Sequence, residues 1–349
     1  MPALRFWRPL IRERRDRVER IQLGHGGGGR LMYQLVREYF VPSFHLQTLN
    51  DSAVLEGVSE GKIALTTDSY VISPYFFPGG DIGLLSVCGT VNDLSMAGAR
   101  PLYLTTGFIL EEGMPIEDLK KILASMKTVA DEINVKIVAG DTKVVEKGKG
   151  DGIYINTAGV GVVDQGIDLS PLRIMPGDKI ILSGSVGNHG MAVMAERNGI
   201  SFDPPIVSDV RALNFLVQSM LATTGEIRVL RDPTRGGIAT TLKEFAADSS
   251  KCMIIDEEAV HVRPGVQGAC DLLGLDPLYV ANEGILLAVV APHAADELVR
   301  AMKKTQEGAE AAVIGEVAEQ PEQMVLLRTK IGGTRIIDMI TGEQLPRIC

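Results

Sequence analysis

The chain has 349 residues, 45% of them apolar and 23% charged, with a formal net charge of −9, an ordinary globular balance for one large α/β domain or two linked ones. The acidic excess argues against nucleic acid as a main partner, because a phosphate backbone needs basic surface; it leaves nucleotides open, since these bind through Mg2+ and backbone N–H groups. The longest apolar runs, such as 284–292, are strand-sized, and Arg5, Arg8, Arg12, Arg14 and Arg15 precede no apolar core or cleavage site, so neither a membrane span nor a signal peptide is expected and the protein is read as cytoplasmic.

Residues 1–20 are rich in Arg and Glu and hold little that builds a core, so they are read as an extension. A first α/β domain is expected over 21–165. It opens on Leu23-Gly24-His25-Gly26-Gly27-Gly28-Gly29-Arg30. A β-like run at 62–67 leads to Asp68, small and apolar residues at helical spacing cover 82–98, and 101–110 reads as a strand. Over 116–134, Ile116, Leu119, Ile122, Leu123, Met126, Val129, Ala130 and Ile133 fall on one face of a helix. Strands follow at 135–139 and 152–163. Residues 168–178, with Pro171, Pro176 and Gly177, read as a linker. A second α/β domain is expected over 175–340. Its strands are placed at 179–182, 251–255, 284–290, 311–317 and 324–328, and its helices at 189–198, 209–222, 238–247 and 294–304. Strands and helices alternate in both halves, which predicts two α/β domains. Residues 341–349 read as a flexible tail ending in Cys349. The four cysteines, Cys88, Cys252, Cys270 and Cys349, show no CxxC spacing, so neither a zinc site nor a disulfide framework is expected.

Three features carry candidate chemistry. The glycines Gly26, Gly27 and Gly28 would let backbone N–H groups approach phosphate oxygens. No Gly-Lys-Ser/Thr follows, so this is not a Walker loop, and a glycine linker fits the run equally well. Asp51, Asp68, Asp93 and Asp141 stand at predicted element ends. Mg2+ prefers oxygen ligands and takes a few carboxylates plus nucleotide phosphates, so as a set they suit ATP with its Mg2+. Each alone serves equally as a turn or helix cap. Asp232-Pro233-Thr234-Arg235-Gly236-Gly237 leads into a helix; it is either a second phosphate-facing turn with Arg235 as its cation or a plain turn.

As a set these motifs resemble the PurM-like superfamily of aminoimidazole ribonucleotide synthetase, selenophosphate synthetase and thiamine monophosphate kinase, from about residue 21 to the end. The shared markers are the Gly-rich start, Asp51-Ser52-Ala53, Thr67-Asp68, Asn92-Asp93, Ala97-Gly98-Ala99, Gly140-Asp141-Thr142 and Asp232-Pro233-Thr234-Arg235-Gly236-Gly237. Within that superfamily three motifs resemble the HypE-type carbamoyl dehydratases of hydrogenase maturation. These are Thr67-Asp68-Ser69-Tyr70-Val71-Ile72 continuing into Phe76-Phe77-Pro78-Gly79-Gly80-Asp81-Ile82-Gly83, Gly140-Asp141-Thr142-Lys143-Val144-Val145, and the ending Pro346-Arg347-Ile348-Cys349. The extension over residues 1–20 departs from the pattern.

The resemblance implies a homodimer whose N-terminal domains join in a β-barrel-like core, with ATP in a cleft beside it. It places ATP near Gly26, Gly27, Gly28, Asp51, Asp68, Asp93, Asp141, Thr142 and Arg235. It also implies that Cys349 carries a carbamoyl group, that Glu283 is the general base of its dehydration to thiocyanate, and that Lys143 orients the carbamoyl group. The carbamoyl donor would be the carbamoyltransferase HypF, and the cyanide would pass to iron on the HypC–HypD complex. Nine residues of tail span roughly 30 Å when extended, enough to visit a donor and return. Two other readings stay open: a relative that phosphorylates a small molecule, and a nucleotide-gated carrier that only shuttles a group on Cys349. Selenophosphate synthetase is disfavoured, since the Gly-rich segment holds no cysteine.

Overall fold

A computed structural model describes residues 20–22, 25, 34–44, 61–339 and 347–349. Gly26, Gly27, Gly28 and Asp51, nearly all of the N-terminal extension, and tail residues 340–346 lie outside the described residues.

The first unit is a four-stranded sheet with helices on one face. β1 (Lys62–Tyr70) pairs antiparallel with β6 (Ile153–Val163), β6 with β4 (Ala99–Glu111), and β4 runs parallel to β5 (Lys136–Val145). A two-stranded ribbon, β2 (Phe76–Phe77) with β3 (Gly80–Asp81), leads into α1 (Ile82–Met96). The Asp81 carboxylate caps α1 by accepting the N–H groups of Gly83 and Leu84 at 2.7 and 3.0 Å, satisfying donors that the helix itself leaves orphaned.

α2 (Ile116–Glu132) carries the predicted stripe. Ile116, Leu119, Ile122, Leu123, Met126, Val129 and Ala130 are all buried, and the helix packs on α1. Pro115 sets its extended entry, and Asn134 ends it beyond with φ 58°. α1 is buried nearly all round, because it is wedged between β1, β4 and β6, α2 and the second unit. Among the described residues the other face of the sheet is open: along β1, Ile63, Leu65, Thr67 and Ser69 are exposed, while alternate residues turn toward the helices.

The second unit has a seven-stranded sheet in the order β13-β12-β9-β11-β7-β10-β8. Its strands are β7 (Lys179–Leu182), β8 (Ile227–Arg231), β9 (Cys252–Asp256), β10 (Leu287–Val290), β11 (Ala312–Ala318), β12 (Val325–Arg328) and β13 (Thr334–Ile337). Only β9 and β12 run parallel. Helices cover both faces. Leu287 and Val289 meet Ile238, Leu242 and Phe245 of α5 (Gly237–Ser249), while Leu286, Ala288 and Val290 meet α4 (Asn214–Thr223) and α7 (Ala295–Met302). Strands buried on both faces need no polar alternation. α3 (Asn188–Asn198) packs against α6 (Pro264–Leu273) at the side.

The architecture is the expected pair of α/β units, and the structure moves several bounds. The helix expected over 209–222 starts at Asn214, because Asn92 holds residues 211–213 out of the helix: its Nδ2 donates to the Arg211 carbonyl at 3.1 Å and its Oδ1 accepts Leu213 N–H at 2.8 Å. The strand expected over 284–290 starts at Leu287, since Gly284 gives its N–H to the Asp209 carboxylate. β8, α6 and β13 were not anticipated. Within the expected linker, Ser170 N–H bonds the Arg228 carbonyl at 2.8 Å and Gly177 N–H that of Val317 at 2.8 Å, which ties this stretch to the second unit.

Candidate active site

Carboxylates from four elements converge where the units meet. Asp68, near the end of β1, lies opposite Thr157 on β6 and turns toward the helix side. Asp93, in the last turn of α1, accepts the Thr66 hydroxyl at 2.9 Å. Burial raises the Asp93 pKa and the charge of Asp68 adds to it, against the Thr66 hydroxyl and Arg231. Asp232 follows β8 and precedes the Gly236-Gly237 start of α5. Burial pushes it up to about 7, with Asp93 and Asp68 contributing.

Glu283 stands on the turn before β10, and two side chains and one backbone contact build that turn. Asn282 accepts Gly187 N–H at 2.7 Å and donates to the carbonyls of Pro233 and Val280 at 2.9 and 3.0 Å. Asp209 takes the N–H of Gly284 at 3.0 Å and, more loosely, that of Glu283 at 3.3 Å. Arg211 N–H bonds the Glu283 carbonyl at 3.3 Å. Gly284 permits this closure, because a Cβ there would lie 1.7 Å from the Asp209 carbonyl oxygen. Among the described residues, the Glu283 carboxyl has no hydrogen-bond partner. Burial raises its pKa well above the usual range, and Asp232, Asp209, Asp68 and Asp93 raise it further. A buried carboxyl of raised pKa, with no partner to occupy it, has the properties of a general base.

The C-terminal tip docks beside it. Ile348 is buried in the first unit's core and Cys349 packs against that core. Val71 N–H donates to the Cys349 α-carboxylate at 3.2 Å, His189 bonds the Ile348 carbonyl, and Arg197 donates to the Arg347 carbonyl. Arg347 forms an ion pair with Asp151. Burial raises the Cys349 thiol to about 12. Glu283 and Asp68 add to the shift and Arg235 opposes it, so the sulfur lies within electrostatic reach of all three. At neutral pH it is a thiol rather than a nucleophilic thiolate.

Asp141, Thr142 and Lys143 are placed elsewhere. Asp141 and Lys143 lie opposite Gly107 and Ile109 of β4, in rows that continue to Asn156 and Tyr154 of β6; the first row reaches Ser69 on β1. They therefore share the open face of the sheet, whereas Asp68 points to the helix face, because successive strand residues alternate. Lys143 Nζ bonds Asp141 at 2.6 and 2.7 Å, both side chains exposed, and this bond lowers the Asp141 pKa. Thr142 is buried between them. Of the four aspartates expected on one rim, Asp68 and Asp93 lie together, Asp141 lies on the opposite sheet face of the same chain, and Asp51 lies outside the described residues.

Among the described residues no three His, Cys, Asp or Glu side chains form a ready metal site. Asp68 and Asp93 nevertheless fit Mg2+ arriving with nucleotide phosphates. Mg2+ commonly takes one or two protein carboxylates and completes its shell from phosphate and water, and a cation there would offset the Asp68 charge that helps raise the Asp93 pKa.

Asp209, Asp232, Asn282, His189 and Ser208 were not singled out from the sequence. Asp232 stood inside a quoted motif. Asp209 stood where helical spacing appeared to start, and nothing local marks a carboxylate that serves a turn 74 positions away. His25, in the Gly-rich segment, is buried and accepts Gln22 N–H at 2.9 Å, a local turn.

Comparison with known proteins matches residues 49–163 to the N-terminal domain and residues 175–327 to the C-terminal domain of the AIR synthase related protein family. A carbamoyl dehydratase HypE from Cupriavidus necator is 54% identical over 333 residues, 95% of each chain. A crystal structure of hydrogenase maturation protein HypE in complex with ATP superposes with a TM-score of 0.90 at 45% identity, covering 94% of this chain and 99% of that one. HypE in a HypE–HypF complex matches with a TM-score of 0.77 at 48% identity, covering 88% and 99%.

Proposed function

The chain belongs to the HypE carbamoyl dehydratases, within the AIR synthase related family, and from that premise we propose that it dehydrates an S-carbamoyl group on its own Cys349 to a thiocyanate, with Glu283 as base. Its role is hydrogenase maturation and its activity that of an ATP-dependent carbamoyl dehydratase. The observation that carries the residue assignment is the docked Cys349, whose thiol feels Glu283, Asp68 and Arg235.

ATP supplies the phosphoryl group that turns the carbamoyl oxygen into a leaving group, and the Mg2+ it brings would be held by Asp68 and Asp93. One N–H proton passes to solvent as the oxygen is phosphorylated, and the Glu283 carboxylate takes the second as the C–O bond breaks, so that S–C(=O)–NH2 and ATP become S–C≡N, ADP, phosphate and the two released protons. Arg235 offsets negative charge that builds on the carbamoyl oxygen. Asp209 and Asn282 hold the Glu283 turn. Lys143 orients the carbamoyl group once its bond to Asp141 opens. The docked thiol is protonated and largely enclosed, which suits a sulfur that already carries its carbon and not one about to attack a donor. Carbamoylation therefore belongs to an undocked state of the tail.

The donor is HypF, in keeping with the solved complex of a relative with HypF, and the product passes to iron on HypC–HypD. We assign the protein to the cytoplasm as a homodimer; no helix among the described residues is long and apolar enough to cross a membrane. The dimer is supported by the open sheet face, where edge-strand residues Ile63 and Leu65 are 63% and 74% exposed. The exposed Ile109 lies in the Asp141–Lys143 region of that face.

The deciding experiment is mass spectrometry of the C-terminal peptide after carbamoylation, with and without ATP. Loss of one water mass on ATP addition is expected. An adduct unchanged by ATP would reduce the protein to a carrier, and absence of any adduct would point to a small-molecule substrate. Cys349→Ala should bind ATP and accept no carbamoyl group.

A further inference from the structure

We propose that His189 is a positioning residue for the dehydration, holding the Ile348 carbonyl so that the terminal sulfur is set toward Glu283, with Ser208 and the Phe76-Phe77-Pro78-Gly79-Gly80 segment bracing its ring. This deepens the dehydratase reading and rests on it. His189 lies in the first turn of α3 and is fully buried. Its Nε2 is 2.6 Å from the Ile348 carbonyl oxygen and its Nδ1 is 2.8 Å from Ser208 Oγ. A carbonyl only accepts, so Nε2 carries the hydrogen. Burial lowers the ring's pKa to about 4, so the imidazole is neutral and Nδ1 must accept from the Ser208 hydroxyl. Ser208 Oγ in turn accepts Val210 N–H at 3.1 Å. The chain from Val210 N–H through Ser208 and His189 to Ile348 runs in one direction, with one tautomer.

The bracing is equally specific. Phe77 meets the imidazole at 90° with centroids 5.3 Å apart. Ser208 N–H bonds the Pro78 carbonyl at 2.8 Å. Gly79 has φ 95°, and a Cβ there would come 2.6 Å from Val207 Cγ1 and 3.0 Å from Ser208 N, so only glycine lets the segment lie against Ser208. His189 holds the carbonyl just before Cys349 and Val71 holds the carboxylate just after its Cα. Two fixed points on either side of one Cα set the direction of its Cα–Cβ bond, from which the sulfur reaches only its few staggered positions, and near-attack geometry is lost with displacements of about 1 Å. When the tail undocks, His189 Nε2–H is left as a buried donor without its acceptor, an unfavourable state that draws the tail back.

The test compares iodoacetamide alkylation of Cys349, read on the C-terminal peptide, with single-turnover dehydration of carbamoylated protein and with ATP affinity. His189→Leu should speed alkylation and slow dehydration, each on the order of tenfold, at unchanged ATP affinity. His189→Gln, which keeps an N–H near the Nε2 position, should restore most of both. Ser208→Ala, which frees the tautomer, should move both rates in the same direction and serves if His189→Leu does not fold. Folded variants with wild-type alkylation overturn the latch, and so does faster alkylation with unchanged dehydration. Equal losses in the Leu and Gln variants together with weaker ATP binding would make His189 a plain core residue. If the wild type never dehydrates while the alkylation pattern holds, the dehydratase reading fails and the tail latch stands.

Discussion

Glu283 is expensive to ionise where it stands, and that cost is what suits it to take a proton. Burial and four neighbouring acids raise its pKa well above the usual carboxylate range, so the dehydration rate should climb with pH through values above that range. A profile already flat from about pH 5 upward would remove Glu283 as base. Glu283→Gln keeps the shape and should accept carbamoyl normally, with dehydration lower by about 10²–10⁴-fold. His189 shifts the other way, from 6.5 to about 4. Its folded pKa lies below its unfolded one, so its neutral burial costs nothing above about pH 6.5, and stability is lost as pH falls from there toward 4. About 2 kcal/mol should be gone by about pH 5. Asp232, raised to about 7, contributes the opposite slope across that whole window. The measurement is therefore a difference: in urea unfolding the wild type should lose stability relative to His189→Gln on acidification, and parallel curves would contradict the buried neutral ring.

Among the elements, α2 was the most legible in the sequence and is the simplest to break. Leu119 is fully buried on its stripe, so Leu119→Ala should cost about 2–5 kcal/mol in chemical denaturation; a loss below about 1 kcal/mol would mean the helix does not pack as described. The stripe was readable because one face of α2 meets the sheet unit and the other meets water. Where elements are buried on both sides that contrast disappears, and β8 went unread although its Ile227, Val229 and Leu230 are core. The candidate site shows the same division. Asp68, Asp93 and Arg235 sit in motifs that left a phosphate or metal role open beside a plain turn or cap, and the roles of Cys349 and Glu283 were reached through resemblance. Asp209, Asn282 and His189 act by holding backbone atoms far away in sequence, and such contacts leave no periodicity or spacing to read. Lys143 and Asp141 were legible as residues, but their face was not, because the parity of a strand position follows from register, and register depends on pairing partners.

At the scale of the molecule, the open sheet face joins these questions. Ile63, Leu65 and Ile109 are exposed on it, together with Asp141 and Lys143, and β1 is an edge strand. Covering such a face gains roughly 1.5–3 kcal/mol per large aliphatic side chain, and a lysine in its midst would bury an unpaired charge. Leu65→Lys should therefore turn a dimer into a monomer in light scattering. The described contacts to residues 347–349 come from the same chain, so Cys349 should keep its protection from alkylation in that monomer. Lys143 is on the opposite face of its own sheet from Asp68, so the carbamoyl group it orients should be the one on a second chain. A mixture of Lys143→Ala and Glu283→Gln chains, each inactive alone, should then recover about one quarter of wild-type dehydration, since about half the dimers are mixed and one site in each is intact. No recovery after subunit exchange would confine Lys143 to its own chain, and a wild type that is monomeric at assay concentration would remove the shared site altogether.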